Sequence, residues 1–404
     1  MKVEIKKSSA RGSVSAPPSK SVAHRMLIAA ALAEGTSKIK GISECDDVLA
    51  TVDCLRALGA NIEYSGNDLT VTGFDPTLTK PTDALNCRES GSTLRFIFPI
   101  ALLSGADVRF IGAKRLLERP LDVYEKICEE CGVQITRNEG EIRTSGKLSA
   151  CEFSLRGDVS SQFISGLLFS APFMSEDVRI RITTKVESRS YIDMTVDAMA
   201  QFGITAVWEN ENTLFIKDNQ KYRAANVSVE GDYSAAAFID ALAVFGNDVE
   251  VLGLNEKSLQ GDRVYKEHLK ALAEGYAEIS LEDCPDLAPI LFTVASALHG
   301  GKFTATKRLK IKESDRAAVM ATELAKFGAR IEVFDDCVEI APAKLHSPTE
   351  NLLSHNDHRV VMSLATLASV YGGVIERAEA VKKSYPGYFE DITSLGINIK
   401  YYED

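Results

Sequence analysis

The residues best suited to chemistry in this chain are cations that stand beside hydroxyls and carboxylates. The densest group is Lys312-Glu313-Ser314-Asp315-Arg316, preceded by Arg308 and Lys310 in the strand-like stretch 302–311. Arginine is suited to a two-pronged grip on a carboxylate or phosphate. Four further groups follow the same composition: Asn356-Asp357-His358-Arg359, Glu118-Arg119-Pro120, Lys382-Lys383-Ser384-Tyr385-Pro386, and Pro17 to Arg25, where Lys20 and Arg25 flank Ser21. Taken singly, each has a bland reading. Ser314 or Asp315 caps a helix, Asn356 opens an Asx cap, Lys20 is solvated after a Pro-initiated helix start, Arg119 is a surface charge, and Lys382-Lys383 lie in a solvated loop. Together they put Lys or Arg beside most of the predicted helix starts, which surface solvation does not explain. A helix start offers free N–H groups and a positive dipole end. The chemistry these groups suit is the grip of a small, strongly negative molecule.

The elements that must position them recur along the chain. Polar openings at Ser19-Lys20-Ser21, Ser90-Gly91-Ser92, Ser160-Ser161-Gln162, Asp232-Tyr233-Ser234, Asp283 to Asp286 and Asn356-Asp357-His358 each precede a small-residue apolar run. The spacing is roughly 70 residues, with one shorter step, a repeat signature. A second series runs in phase, where a helix end meets Gly and an alternating strand: Gly59, Gly132, Gly203, Gly328 and Gly396. Glycine after the last turn suits the left-handed position there. Hairpin signals at Ser65-Gly66 and Glu139-Gly140 follow. Each unit reads as strand, helix, strand, helix, hairpin. The fourth, near Gly275, is degenerate. Six units divided three and three put the boundary in the polar stretch Lys221 to Gly231. The domains expected are residues 15–226, and residues 1–14 with 227–404. Residues 1–14, read as a strand with a turn at Arg11-Gly12, can pair with either half and would make a hinge with two crossings.

A chain of 404 residues exceeds a single core. With 45% apolar and 25% charged residues it is an ordinary globular composition. The formal charge of -11 argues against non-specific nucleic-acid binding. No signal peptide and no apolar run of membrane-spanning length is seen, so a cytoplasmic protein without membrane contact is expected. The eight cysteines, including the Cys128/Cys131 pair on a predicted amphipathic helix, read as reduced thiols. No metal-ligand spacing is evident. The phosphate-loop pattern, the dinucleotide G-x-G-x-x-G, the nucleophile elbow and the Ser-His-Asp order are all missing.

At these residues the chain resembles the 5-enolpyruvylshikimate-3-phosphate synthase (3-phosphoshikimate 1-carboxyvinyltransferase) family. The matching stretches are Pro17–Arg25, Glu89–Arg95, Arg119-Pro120, Ser160-Ser161-Gln162, Ser188 with Tyr191-Ile192-Asp193, Pro285-Asp286, Lys312–Arg316, Asp357-His358-Arg359, and Lys383 with Pro386. The resemblance implies an α/β (α+β) fold of two domains, each of three βαβαββ copies in an inverted α/β barrel, with the active site in the interdomain cleft. It implies transfer of the enolpyruvyl group of phosphoenolpyruvate to the 5-hydroxyl of shikimate 3-phosphate, through a tetrahedral intermediate, with loss of phosphate and no cofactor or metal. By the same resemblance Lys20, Gly91, Arg119, Arg316, Arg359 and Lys383 hold phosphoenolpyruvate. Lys20, Ser21, Arg25, Ser160, Ser161, Gln162, Ser188, Asp286, Arg308 and Lys312 hold shikimate 3-phosphate. Asp286 and Glu313 are the implied proton-transfer groups, with Lys20 a third candidate. The partners expected are these two small molecules only, and the protein is expected to be a monomer.

Glu89 departs from the family's usual Asn and would repel phosphoenolpyruvate unless Arg88 or Arg95 neutralises it. Arg308 stands where relatives carry Asn. The retained Gly91 implies sensitivity to glyphosate. A UDP-N-acetylglucosamine enolpyruvyl transferase shares the implied fold and donor but uses a loop cysteine as acid, and residues 112–120 hold none. A non-catalytic polyanion binder would keep the arginines without needing Asp286 and Glu313. An RNA-end-modifying enzyme of similar repeats is disfavoured by the acidic balance.

Overall fold

The structure, a computed structural model, describes residues 1–402. Its contacts divide the chain into two units. One is Pro18–Glu230; the other is Met1–Pro17 together with the chain from Gly231 onward.

The first unit follows from its apolar runs. In helix α1 (Lys20–Ala31) every residue from Val22 to Ala31 is buried. In helix α3 (Gly91–Ala101) only Ser92 escapes burial, and in the helix Ser161–Ser170 only Gln162 does. A helix apolar on all sides belongs inside a core. The strands instead alternate: Thr36–Lys40 runs exposed, buried, exposed, buried, exposed. Helices therefore fill the interior and sheets cover it, each with one solvated face. Helix α2 (Asp46–Ala57) packs beside α1 and α3. Gly166 permits the close approach of α3 and the helix Ser161–Ser170, because a Cβ there would collide with the Tyr124 hydroxyl and the Arg95 carbonyl.

Three sheets of four strands repeat one topology. In the middle copy Leu85–Asn86 lies parallel to Val108–Ile111, which is antiparallel to Glu141–Ser145, itself antiparallel to Gln134–Asn138. Glu152–Leu155, Val178–Ile182, Thr213–Ile216 and Ala206–Asn210 repeat this order. The first copy takes its parallel strand from the far end of the unit, Asn226–Ser228 beside Thr36–Lys40. The domain junction expected between 226 and 227 thus falls inside a strand, and the contact division lies a few residues later.

In the second unit Ala277–Ser280, Gly301–Thr304, Cys337–Ala341 and Arg330–Val333 form the same sheet. The last copy borrows the N-terminus: strand β1 (Lys2–Ile5) lies antiparallel between Gly373–Glu376 and Ile399–Tyr402. Strand β2 (Arg11–Ser15) lies parallel to Asp248–Leu252. These two strands belong to the fourth copy, which has no hairpin among the described residues. Its helix Tyr265–Glu274 leads directly to Ala277–Ser280, so the degenerate signal near Gly275 coincides with the missing hairpin. Two local expectations are corrected. Arg11 and Gly12 open β2 instead of forming a turn, because their backbone pairs with Asp248 and Val249. The strand read over 302–311 ends at Thr304; Ala305 has φ +58° and turns the chain, and Lys307–Ile311, with Arg308 and Lys310, forms a 3₁₀ turn.

Each unit has its own apolar core. All eight cysteines are free. Among the described residues no helix is long and apolar enough to cross a membrane.

Candidate active-site residues

The second unit gathers the densest charge cluster. Asp315 caps the helix Arg316–Ala325 by accepting from the Ala318 N–H, and Asp357 caps His358–Tyr371 by accepting from the Arg359 N–H. The two helix starts bring Arg316 and Arg359 to one carboxylate. Asp286, in the 3₁₀ turn Pro285–Leu287, receives Arg316 at 2.8 Å, Lys312 at 3.1 Å and Arg359 at 3.0 Å. Arg316, only 1% exposed, also donates to Glu313 at 2.8 Å and to Asp357 at 2.9 Å. Three carboxylates and three cations therefore balance in charge. The Ser314 hydroxyl donates to Asp357 at 3.1 Å.

The electrostatics follow from this balance. Burial alone would raise the Asp286 carboxyl, but Arg359, Lys312 and Arg316 hold it well below the usual carboxylate range. Burial lowers the Lys312 ammonium, against the pull of Asp286. Arg316 is raised despite its burial, because Asp357, Glu313 and Asp286 surround it. Beside the cluster, Lys383 donates to the Asn356 carbonyl at 2.5 Å, and Arg308 donates to the Glu282 carbonyl at 2.5 Å. Asp286, Lys312, Glu313, Arg316 and Arg359 are thus directly joined. Lys383 attaches through the neighbouring turn, and Arg308 is bonded to the loop before Asp286.

The first unit holds the remaining candidates. Lys20 opens α1 and pairs with Asp47 of α2 at 2.8 Å. Arg25, one turn on, is buried; it donates to the Ser21 carbonyl at 2.7 Å, the Tyr191 carbonyl at 2.8 Å and the Thr195 hydroxyl at 2.8 Å. Burial lowers its guanidinium to about 10. These bonds tie α1 to the helix Arg189–Gln201, whose N-cap Ser188 is buried with φ +54°. Ser160 accepts from the Gln162 N–H at the start of Ser161–Ser170, and the Gln162 side chain accepts from Arg95 at 2.7 Å. At the start of α3, a Cβ on Gly91 would lie 2.6 Å from an Arg119 nitrogen and 3.1 Å from one of Arg95. Two guanidinium groups thus stand over a helix N-terminus, an arrangement made for an anion. Arg88 pairs with Asp53 at 2.7 Å.

Three participants escaped the sequence reading. Asp47 looks like an ordinary dipole charge in the first turn of α2, and nothing local marks it as the partner of Lys20. Asp357 reads as a cap, yet it also clamps Arg316. His24 reads as one more residue of α1, although its ring joins three helices.

The chain as a whole matches known proteins. A family model described as EPSP synthase (3-phosphoshikimate 1-carboxyvinyltransferase) matches residues 5–392. A 3-phosphoshikimate 1-carboxyvinyltransferase of Clostridium kluyveri is 39% identical over 415 positions, covering 98% of this chain and 97% of the relative. One of Clostridium perfringens is 40% identical over 418 positions, covering 98% of each. A solved EPSP synthase of Acinetobacter baumannii superposes with a TM-score of 0.76 at 23% identity over 99% of both chains, which establishes the likeness of fold.

Proposed function

The chain belongs to the EPSP synthase (3-phosphoshikimate 1-carboxyvinyltransferase) family, and from that premise we propose which of its residues carry the reaction. The enzyme transfers the enolpyruvyl group of phosphoenolpyruvate to the 5-hydroxyl of shikimate 3-phosphate and releases phosphate, a step of the shikimate pathway. In an addition–elimination course, the 5-oxygen bonds to C2 of phosphoenolpyruvate while C3 gains a proton. C3 then loses a proton as the C2–O bond to phosphate breaks. Asp286 takes the 5-hydroxyl proton. Glu313 gives and regains the proton at C3. Lys20 is the further proton-transfer candidate. Arg119, Arg316, Arg359, Lys383, Lys20 and the Gly91 backbone hold phosphoenolpyruvate. Ser21, Arg25, Ser160, Ser161, Gln162, Ser188, Arg308 and Lys312 hold shikimate 3-phosphate.

The observation that carries this assignment is the junction of Asp286 and Glu313 on Arg316, with Lys312 and Arg359 on Asp286. A carboxylate held by three cations is a weak base. An incoming phosphate and carboxylate compete for those same cations, and as they turn to the substrate the basicity of Asp286 rises. Positioned acid and base groups contribute about 10² to 10⁴-fold, and preorganised positive charge stabilises the intermediate further. The test is phosphate release from phosphoenolpyruvate with and without shikimate 3-phosphate, with UDP-N-acetylglucosamine as a parallel acceptor. Release is expected only with shikimate 3-phosphate, and is expected to be lost in Asp286→Ala and Glu313→Gln. Full rates in both variants would overturn the assignment.

A further inference from the structure

A closed ring of hydrogen bonds links the helices that carry Lys20, Asp47 and Gly91. His24 Nδ1 is 2.7 Å from Thr51 Oγ1, which is 2.7 Å from Thr93 Oγ1. The Thr93 hydroxyl donates to Ser90 Oγ at 2.8 Å, and it also lies 3.3 Å from the Asp47 carbonyl. Ser90 Oγ is 3.2 Å from Ser92 Oγ, and Ser92 Oγ is 3.1 Å from His24 Nε2, which closes the ring. His24, Thr51, Ser90 and Thr93 are buried.

Each member has one proton to give and one acceptor to offer, provided the imidazole is neutral. With Thr93 donating to Ser90, the consistent direction runs Ser90 to Ser92 to His24 Nε2, and His24 Nδ1–H to Thr51 to Thr93. Burial, then Lys20 and Arg25, keep the imidazole neutral by pushing its pKa well below the ordinary histidine range. The ring therefore selects one tautomer.

Its placement is set by helix spacing. Lys20 and His24 stand one turn apart on α1, as do Asp47 and Thr51 on α2, so each pair shares a face. The Lys20–Asp47 ion pair and the His24–Thr51 bond are successive rungs between the same two faces. Thr93 bonds the rung at Thr51, and Ser90 and Ser92 flank Gly91 at the start of α3.

We infer that His24 is a positioning residue for phosphoenolpyruvate: by closing the ring it holds the Lys20–Asp47 pair and the Gly91 helix start in fixed register. This rests on the assignment of Lys20, Gly91 and Arg119 to phosphoenolpyruvate. The ring touches no reacting atom. It acts by keeping two substrate contacts from shifting independently, and small displacements of positioning groups are costly in rate.

The experiment is steady-state kinetics on His24→Leu, Thr51→Val and the double variant, with Arg119→Ala as the control. Thr51→Val keeps the shape of the side chain and opens the ring at a point remote from Gly91. Each single variant is expected to raise KM for phosphoenolpyruvate about tenfold, the worth of one buried hydrogen bond, and to leave KM for shikimate 3-phosphate within about twofold. The double variant should be no worse than either single one, since a ring opens once. A purely structural role would lower the active fraction, and so the apparent kcat, without moving either KM. Unchanged KM for phosphoenolpyruvate in His24→Leu and Thr51→Val, beside a raised KM in Arg119→Ala, overturns the inference and leaves the residue assignment standing. An unchanged KM in Arg119→Ala overturns that assignment, and the inference with it.

Discussion

Replacing Asp286 by Asn is the sharpest perturbation of the charge cluster. The side chain keeps its shape and one acceptor oxygen, but it loses the charge that faces Arg316, Lys312 and Arg359 at 2.8, 3.1 and 3.0 Å. Arg316 retains Asp357 and Glu313, so the loss falls mainly on Lys312 and Arg359. Removing one partner of a buried ion pair typically costs about 3–5 kcal/mol. The cluster keeps some solvent access, with the Asp286 side chain 18% exposed, so the lower end applies. A loss of about 3 kcal/mol in a unit of this size lowers Tm by about 6–12 °C. The sign with pH follows from the native carboxyl being depressed. Its stabilisation is present above the ordinary carboxylate range and is lost as pH falls through the native value. The Tm gap between the original protein and Asp286→Asn should therefore be constant from about pH 5 to 8 and close below about pH 4. Binding should move the other way. On the proposed assignment Asp286 competes with substrate anions for its three cations, so inorganic phosphate should raise Tm more in Asp286→Asn than in the original protein. Activity should fall by about 10² to 10⁴-fold, because the proposed base is gone. Scanning fluorimetry across pH, with and without phosphate, and steady-state kinetics measure all three. An unchanged Tm with an equal phosphate response would refute the charge-balance argument, and a rate within about threefold of the original would refute the base.

Three further outcomes follow from the same geometry. Gly91→Ala places a methyl group against Arg119 and Arg95, so KM for phosphoenolpyruvate should rise roughly 10 to 100-fold, the range set by one charge-assisted hydrogen bond. Inhibition by glyphosate should weaken in parallel, and an unchanged KM would count against the placement of the anion. Burial, and then Asp286, push the Asp262 carboxyl up to about 6. The native state therefore holds that proton more tightly than the unfolded chain, and stability falls by about 3 kcal/mol as pH rises from about 4 to 6. Asp262→Asn should raise Tm at pH near 7.5 and not near 4.5, whereas an equal shift at both would sink this reading. Glu89→Asn should lower KM for phosphoenolpyruvate, since it removes a negative charge two residues before Gly91; titration of initial rates against the donor decides it.

Composition and local pattern are enough to read the repeat, the interior helices and the family of this chain. A run such as Val22 to Ala31 has no polar side to turn outward, so its burial is fixed by composition, and the alternating residues beyond each glycine can only be half-buried strands. Lys20, Arg316 and Arg359 were recognisable because helix starts are local, and a cap and its helix lie within a few residues of each other. Tertiary structure decided which charges meet. The Lys20 partner Asp47 and the His24 partner Thr51 lie on another helix, and no local pattern relates the two faces. Strand exchange was equally hidden. Asn226–Ser228 completes the first copy and β1 the last, because a sheet edge is satisfied by backbone from any part of the chain that reaches it. The turn at Ala305 that ends the strand at Thr304 was likewise invisible, since a positive φ at alanine comes from its surroundings and not from its own preference.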